Sequence, residues 1–224
     1  MRLSLINMII LMLNIVQISF IIVASVIVLG GLLFLLFGPI RKAAIKKKYR
    51  EYYYSLIYKI AVDKDYFLIN NFLFTMDDQH NALINHVLCG NKYIYLINSY
   101  YFNGNINGTI SDRALIYTPK KGQKKYINNP LLSMKRLLER LSMITNLDPD
   151  LFIGIVLVND DVNIDINGES NTYFFTNRNK LNHLIKEIEN RNIAMIDQKQ
   201  LENAVNALSD SSNKLKKKNV QSKK

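Results

Sequence analysis

The sequence contains one cysteine, Cys89, and no tryptophan. A single cysteine excludes an intramolecular disulfide, and it excludes zinc fingers and CxxC redox sites, which need more than one thiol. The chain also has no glycine-rich phosphate loop, no His/Cys metal cluster and no Ser-His-Asp arrangement that stands out. These absences remove several enzyme classes and fit a reducing compartment.

Acidic residues are too few to balance the basic ones, and the net charge is +11. Residues 51–208 hold 16 basic and 17 acidic residues, so the excess lies in the flanking segments. The first flank contains Arg41, Lys42, Lys46, Lys47, Lys48 and Arg50, and the second contains Lys214, Lys216, Lys217, Lys218, Lys223 and Lys224. Such flanks suit anionic lipid headgroups, at about 1 kcal/mol per basic residue near the surface.

Residues 3–40 carry almost no charge and predict a membrane anchor. A helix of that length would measure about 57 Å, more than the hydrocarbon core, so we predict one span over about residues 16–38. Basic residues follow the span rather than precede it, which places the N-terminus outside and the C-terminal domain in the cytoplasm. A cleaved signal peptide and a two-helix hairpin are the alternatives. A signal peptide would have a shorter apolar run than this one. A hairpin would need a longer apolar segment before residue 16 to cross the membrane a second time.

The chain is predicted to divide into four parts. Residues 1–40 form the anchor of a single-pass cell-membrane protein, residues 41–50 a basic juxtamembrane segment and residues 51–208 the folded domain. Residues 209–224 lack apolar periodicity and predict a disordered, lysine-rich tail.

The folded domain alternates strand and helix patterns. Residues 66–74 predict a strand, and residues 82–97 predict an antiparallel hairpin around Gly90-Asn91. Asn129 is predicted to cap a helix with Pro130 in its first turn, and the apolar run 152–158 predicts a buried strand. Two polar stretches are predicted to be irregular, and they cover residues 103–108 and 159–170. The expected fold class is α/β (α+β), a central mixed sheet flanked by helices.

An ordered series of short motifs runs through this domain. It consists of Asn85-His86-Val87, Gly90, the strand 94–97 ending in Asn98-Ser99-Tyr100, Tyr101-Phe102-Asn103-Gly104, Gly108, Asn129-Pro130-Leu131 and the strand 153–158. In this order and spacing the chain resembles the nuclease-related domain (NERD) family. The resemblance covers roughly residues 51–208 and implies a restriction-endonuclease-like core behind a membrane anchor.

The matched site positions depart from the family pattern. The resemblance implies an aspartate where Asn85 stands and a Glu-x-Lys where Asn98 and Tyr100 stand. Carboxylates there would hold Mg²⁺, whereas amide oxygens supply no negative charge and an ordinary tyrosine supplies no cation. The sequence therefore predicts a degenerate motif, with no catalytic residues and no cofactor at these positions.

Other carboxylates offer weak substitutes. Asp77 and Asp78 precede the Asn85 strand and are weak candidate metal ligands, although a solvated turn explains them as well. Asp160 and Asp161 form a similar acidic loop, and the triplet Asp197-Gln198-Lys199 is expected by chance. His86 lies on a predicted strand, and a satisfied, half-buried histidine is the simpler interpretation.

A basic stretch supplies candidate nucleic-acid contacts, interleaved with Tyr117 and Tyr126. The candidates are Lys120, Lys121, Lys124, Lys125, Lys135, Arg136 and Arg140, with Arg113 nearby. Residues 148–169, by contrast, hold six acids and no base. Basic residues with tyrosines can hold phosphates and stack bases, while a solvated face or a second lipid contact is the alternative.

Three hypotheses follow from the sequence. The leading one is a membrane-tethered, cytoplasmic, nuclease-related domain that binds nucleic acid or a protein without catalysis, a pseudoenzyme. The second is a metal-dependent nuclease with relocated carboxylates, the one case in which Mg²⁺ is expected. The third is a membrane-surface adaptor. The expected partners are membrane lipid, DNA or RNA and another protein, with no small-molecule cofactor.

Overall fold

The computed structural model describes residues 2–76 and 81–221. It begins with one helical run, α1 (Arg2–Lys64), which contains a single residue with non-helical backbone angles, Lys48 (φ −123°, ψ 31°). The chain separates into two compact units at this residue.

The first unit ends at Lys48 and is helical throughout its described residues. Its large apolar side chains with described positions are exposed, and they include Phe20, Ile22, Val23, Val26, Ile27, Val28, Leu29, Leu32 and Ile40. Among the residues that the structure describes, we find no helix that combines the length and the apolar character of a membrane span.

The second unit begins at Tyr49 and contains the remaining elements. Its strands are β1 (Phe67–Thr75), β2 (Asn81–Cys89), β3 (Ile94–Ser99), β4 (Gly104–Thr109), β5 (Ala114–Pro119), β6 (Lys125–Asn128), β7 (Phe152–Val158), β8 (Asn163–Asn167) and β9 (Tyr173–Asn177). Its helices, after the end of α1, are α2 (Pro130–Thr145), α3 (Arg178–Glu189) and α4 (Gln198–Gln221), with a short 3₁₀ turn at Pro149–Leu151.

The strands form two mixed sheets rather than the single central sheet that the sequence predicts. The first sheet has the order β1-β2-β3-β7-β9, in which β1, β2 and β3 are antiparallel and β3, β7 and β9 are parallel. The second has the order β6-β5-β4-β8, with β8 parallel to β4. The α/β class is therefore confirmed, and the number of sheets is corrected.

The second sheet was not foreseen because two of its strands have unusual compositions. β4 lies in the Asn- and Gly-rich stretch that predicts a turn, and Gly104 has a φ of 153°, which side chains rarely permit. A Cβ at Gly104 would overlap the carbonyl oxygen of Thr118 in β5, so glycine allows the two strands to approach. β8 lies in the predicted acidic loop, where only Ile164 and Ile166 turn inward.

Both faces of the first sheet are covered. One face packs against α2, α4 and the second sheet, and the other packs against the Tyr49–Lys64 part of α1 and against α3. All seven residues of β7 are buried, which confirms the predicted buried strand. The helix start at Asn129 is also confirmed, because its Oδ1 accepts the Leu131 N–H at 3.0 Å.

The end of the chain differs from the predicted disordered tail. α4 continues to Gln221, and it buries Leu201, Ala204 and Leu208 at helical spacing. The next position of this stripe is Ser212, which is buried and whose Oγ accepts the N–H of Leu73 in the edge strand β1 at 3.2 Å. Because a serine holds this core position, the apolar pattern stops before the helix does.

Close packing between α2 and β7 depends on Gly154. A Cβ at Gly154 would overlap Cγ of Met134 in α2. We expect Gly154→Ala to lower the free energy of unfolding by about 1–3 kcal/mol, because the helix must move outward. In a Met134→Ala background the same substitution is expected to cost much less. Chemical denaturation of the four proteins measures this coupling, and equal costs in both backgrounds would contradict it.

Candidate functional site

Asn85 and Asn98, the two asparagines at the predicted site positions, lie together where the β2–β3 ladder ends. The last paired residues are His86 and Ile97, and Asn85 and Asn98 come next on their strands. The Asn85 N–H donates to Asn98 Oδ1 at 3.0 Å, and the Ser99 N–H donates to Asn85 Oδ1 at 2.8 Å. Each amide oxygen therefore accepts a main-chain N–H from the neighbouring strand. These two bonds hold β2 and β3 together beyond the last main-chain pair of the ladder.

Tyr100 follows Asn98 by two residues and is half-buried. Its N–H donates to the Leu157 carbonyl at 2.8 Å, and its ring stacks against Phe102 with a centroid distance of 6.0 Å. Burial raises the pKa of Tyr100, the neighbouring Tyr49 adds to this effect, and Arg50 opposes it. The phenol is therefore a neutral group packed among aromatic rings.

This set of donors fits Mg²⁺ poorly. Mg²⁺ binds anionic oxygens in near-octahedral geometry and gives up its water reluctantly. Asn85 and Asn98 offer neutral oxygens that already accept N–H groups, and Tyr100 offers a protonated phenol. We derive no catalytic step through a metal at these positions.

The substitute carboxylates have other surroundings. Asp77 and Asp78 lie outside the described residues. Asp160 Oδ1 accepts the N–H of Asn179 at 2.9 Å and so caps the first turn of α3, while Asp197 Oδ1 accepts the Gln200 N–H at 3.1 Å and caps α4. Within the part of the chain that the structure describes, no group of three His, Cys, Asp or Glu side chains is placed to hold a metal ion.

The predicted basic residues lie on different elements of the second unit. Lys120, Lys121 and Lys124 lie in the exposed β5–β6 connection, and Lys125 begins β6. Lys135 is exposed on α2, whereas Arg140 is partly buried and its Nε donates to the Thr75 carbonyl at 3.4 Å.

Arg136 and Arg113 flank a cavity of about 540 Å³ at the start of α2. Its other lining residues are Asn128, Asn129, Leu132 and Ser133. The first turn of α2 contains no acidic residue, so the positive end of the helix dipole is not neutralised there. This cavity is the place where two guanidinium groups and a helix N-terminus can hold one phosphate. The sequence points to Arg136 but does not reveal that Arg113, in the β4–β5 connection, lines the same cavity.

Comparison with known families gives one match. The model of a family described as nuclease-related domain matches residues 47–159, half of the chain, from the start of the second unit to the end of β7. The matched part contains Asn85, Asn98, Tyr100 and the basic cavity, and it excludes β8, β9, α3 and α4. Searches of curated proteins and of solved structures found no match.

His86 is a structural residue with a titratable ring. It is 5% exposed, its Nδ1 lies 2.7 Å from Asn70 Oδ1, and its ring stacks against Tyr54. Burial lowers the pKa of His86 from 6.5 to about 4. The histidine is therefore neutral in the folded protein at physiological pH.

This burial predicts a loss of stability in mild acid. The unfolded chain takes up the His86 proton near pH 6.5 and the folded chain only near pH 4, so stability falls as the pH drops through that interval. Between pH 7.5 and 5 we expect His86 to account for a loss of about 2 kcal/mol. In denaturant titrations at both pH values, His86→Phe should reduce the difference. His183→Gln, which removes an exposed histidine, should leave it unchanged. Equal losses in wild type and His86→Phe would contradict the assignment.

Proposed function

The chain belongs to the nuclease-related domain family, and on that premise we propose that it is a membrane-tethered, cytoplasmic member that binds nucleic acid without cleaving it. The order of helix, three antiparallel strands, helix and parallel strand supports a restriction-endonuclease-like core. In this proposal the second unit is the binding domain and the predicted span tethers it.

The reciprocal bonds of Asn85 and Asn98 carry the non-catalytic part of the proposal. The two oxygens that stand at the expected metal-ligand positions are each used by a main-chain N–H of the adjacent strand. Each oxygen keeps one lone pair, but a neutral amide supplies no negative charge to offset the cost of dehydrating Mg²⁺. The two side chains therefore stabilise the end of the sheet, and the expected metal-ligand positions hold no carboxylate.

The cavity beside α2 supports phosphate binding. Arg113 and Arg136 are exposed and line it together with Ser133, so a backbone phosphate can meet two guanidinium groups and a hydroxyl. The exposed lysines of the β5–β6 connection extend the positive surface. These contacts address phosphates rather than bases, so we propose binding with little sequence preference.

The membrane tether rests on residues 16–38 and on the charge that follows them. The apolar side chains of this segment that the structure describes are exposed. A continuous apolar surface of this kind is unfavourable in water and suits lipid. The six basic residues after the segment place the second unit on the cytoplasmic side.

Nucleic-acid binding is tested by titrating detergent-solubilised full-length protein into labelled single- and double-stranded DNA across a salt series. We expect affinity to fall steeply with salt and the DNA to stay intact with Mg²⁺ present. Arg113→Gln with Arg136→Gln should weaken binding on the order of tenfold and reduce the salt slope by about two. Lys180→Gln with Lys186→Gln makes the same charge change on α3 and should have little effect. If both double variants lose the same affinity for DNA, binding depends on net charge alone and not on the cavity beside α2.

The loss of the metal site predicts a gain of metal binding on reversion. Asn85→Asp with Asn98→Glu gives each position the acid that the family pattern implies and adds two negative charges, which repel each other unless a cation or proton is present. We expect Mn²⁺ or Mg²⁺ to raise the melting temperature of this variant and not of the wild type, with calorimetry reporting the binding. Metal-dependent cleavage of DNA by the wild type would overturn the non-catalytic proposal.

A further inference from the structure

Buried polar atoms without hydrogen-bond partners concentrate at one edge of the first sheet. Among the described residues there are five such side-chain atoms, and four of them are Tyr53 Oη, Ser99 Oγ, Asn159 Nδ2 and Arg178 Nε. Tyr53, Ser99 and Asn159 are 0%, 3% and 5% exposed. Unpartnered buried polar atoms are rare in folded proteins because each one costs stability, so four in one region need an explanation.

The register of three parallel strands brings Ser99, Asn159 and Arg178 to the same edge of the sheet. Ser99 in β3 pairs with Leu157 in β7, which pairs with Thr176 in β9, and all three side chains face the α1 and α3 side of the sheet. Asn159 directly follows the end of β7, and Arg178, directly after β9, begins α3, so both residues lie at the carboxyl edge of these strands. Ligands of α/β sheets commonly bind outside this edge.

Helix α1 contributes the fourth residue, Tyr53, and covers this face of the sheet. Tyr53 is buried against this face, and the guanidinium of Arg178 lies 4.4 Å from the ring centroid of the adjacent Tyr52. Burial raises the pKa of Tyr53, and the nearby carboxylate of Asp160 adds to the effect. Asp160 also caps the Asn179 N–H, so Tyr53 lies close to the N-terminus of α3.

All four atoms can donate hydrogen bonds. Asn159 Nδ2 and Arg178 Nε can only donate, and the hydroxyls of Tyr53 and Ser99 remain protonated donors. The orientation of the Asn159 amide is set by its Oδ1, which accepts the Phe102 N–H at 2.9 Å, and its Nδ2 has no partner among the described residues. A group of donors beside a helix N-terminus and a guanidinium is complementary to an oxyanion.

We propose that Tyr53, Ser99, Asn159 and Arg178 form a binding site for a singly charged phosphate ester, which enters when the half-buried Arg178 and Tyr52 side chains move apart. The carboxylate of Asp160 opposes a second negative charge, so the site prefers a phosphodiester to a phosphate monoester. Ser99 and Asn98 are consecutive in β3 and point to opposite faces, so this site is separate from the Asn85–Asn98 pair. It is also separate from the cavity beside α2.

The test measures thermal unfolding of full-length protein in a phosphate-free maltoside detergent. Dimethyl phosphate is the probe, and trimethyl phosphate, which has a similar shape without charge, is its control. We expect only dimethyl phosphate to raise the melting temperature. Asn159→Asp keeps the acceptor for Phe102 but replaces the donor with a carboxylate, and it should abolish the response.

Tyr53→Phe gives a readout that a purely structural tyrosine would not. Removing an unpartnered hydroxyl should raise the melting temperature of the ligand-free protein by about 2–4 °C and weaken dimethyl phosphate binding about tenfold. Ser99→Ala should act in the same direction. Tyr95→Phe is the matched control, because its hydroxyl donates to Glu189 at 2.8 Å. It should lower the melting temperature and keep the ligand response.

Nanodiscs of phosphatidylglycerol separate the two sources of a phosphodiester. If a lipid headgroup fills the site, added dimethyl phosphate no longer shifts the melting temperature there, whereas a soluble ligand leaves the shift intact. The proposal is overturned if dimethyl phosphate does not stabilise the wild type in detergent. It is also overturned if Tyr53→Phe and Asn159→Asp respond as the wild type does.

Discussion

The parallel pairing of β3 with β7 is the constraint on which the second unit depends. β7 is buried along its whole length, and β3 joins it to the antiparallel hairpin strands, so these two strands carry both faces of the core. Parallel pairing also brings the carboxyl ends of β3, β7 and β9 to one edge. Every polar group at that edge takes its position from this register.

Side chains alternate between the two faces of the sheet along β3, so the polar groups at that edge fall into two separate sets. Asn98 points to one face, where its oxygen and that of Asn85 serve main-chain N–H groups. Ser99 points to the other, where its hydroxyl joins donors that have no acceptor in the described part of the chain. One face is therefore polar and satisfied, and the other is polar and unsatisfied. The sheet explains the first arrangement, and the proposed phosphate ester would provide the acceptor that the second lacks.

The sequence predicts those elements in which local pattern and burial agree. The Asn129 cap and the buried strand Phe152–Val158 follow from turn chemistry and an apolar run, whereas the hydrogen bonds between Asn85 and Asn98 are known only from the structure. The second sheet does not follow, because Gly104 permits a close approach that composition describes as a turn. The donor cluster does not follow either, since its four residues are far apart in the sequence and meet only through the register of β3, β7 and β9 and the packing of α1 on that face.

The asparagine pair also shows how the ends of β2 and β3 are held together without a cation. Two carboxylates at the positions of Asn85 and Asn98 would repel each other across adjacent strands and would rely on a cation to remain ionised together. The amide oxygens of Asn98 and Asn85 accept the N–H groups of Asn85 and Ser99 without that repulsion. The strand ends are therefore held at every metal concentration. Changing both carboxylates to amides together is expected to cost the sheet less than changing either one, because a single change leaves the other charge without its counter-ion.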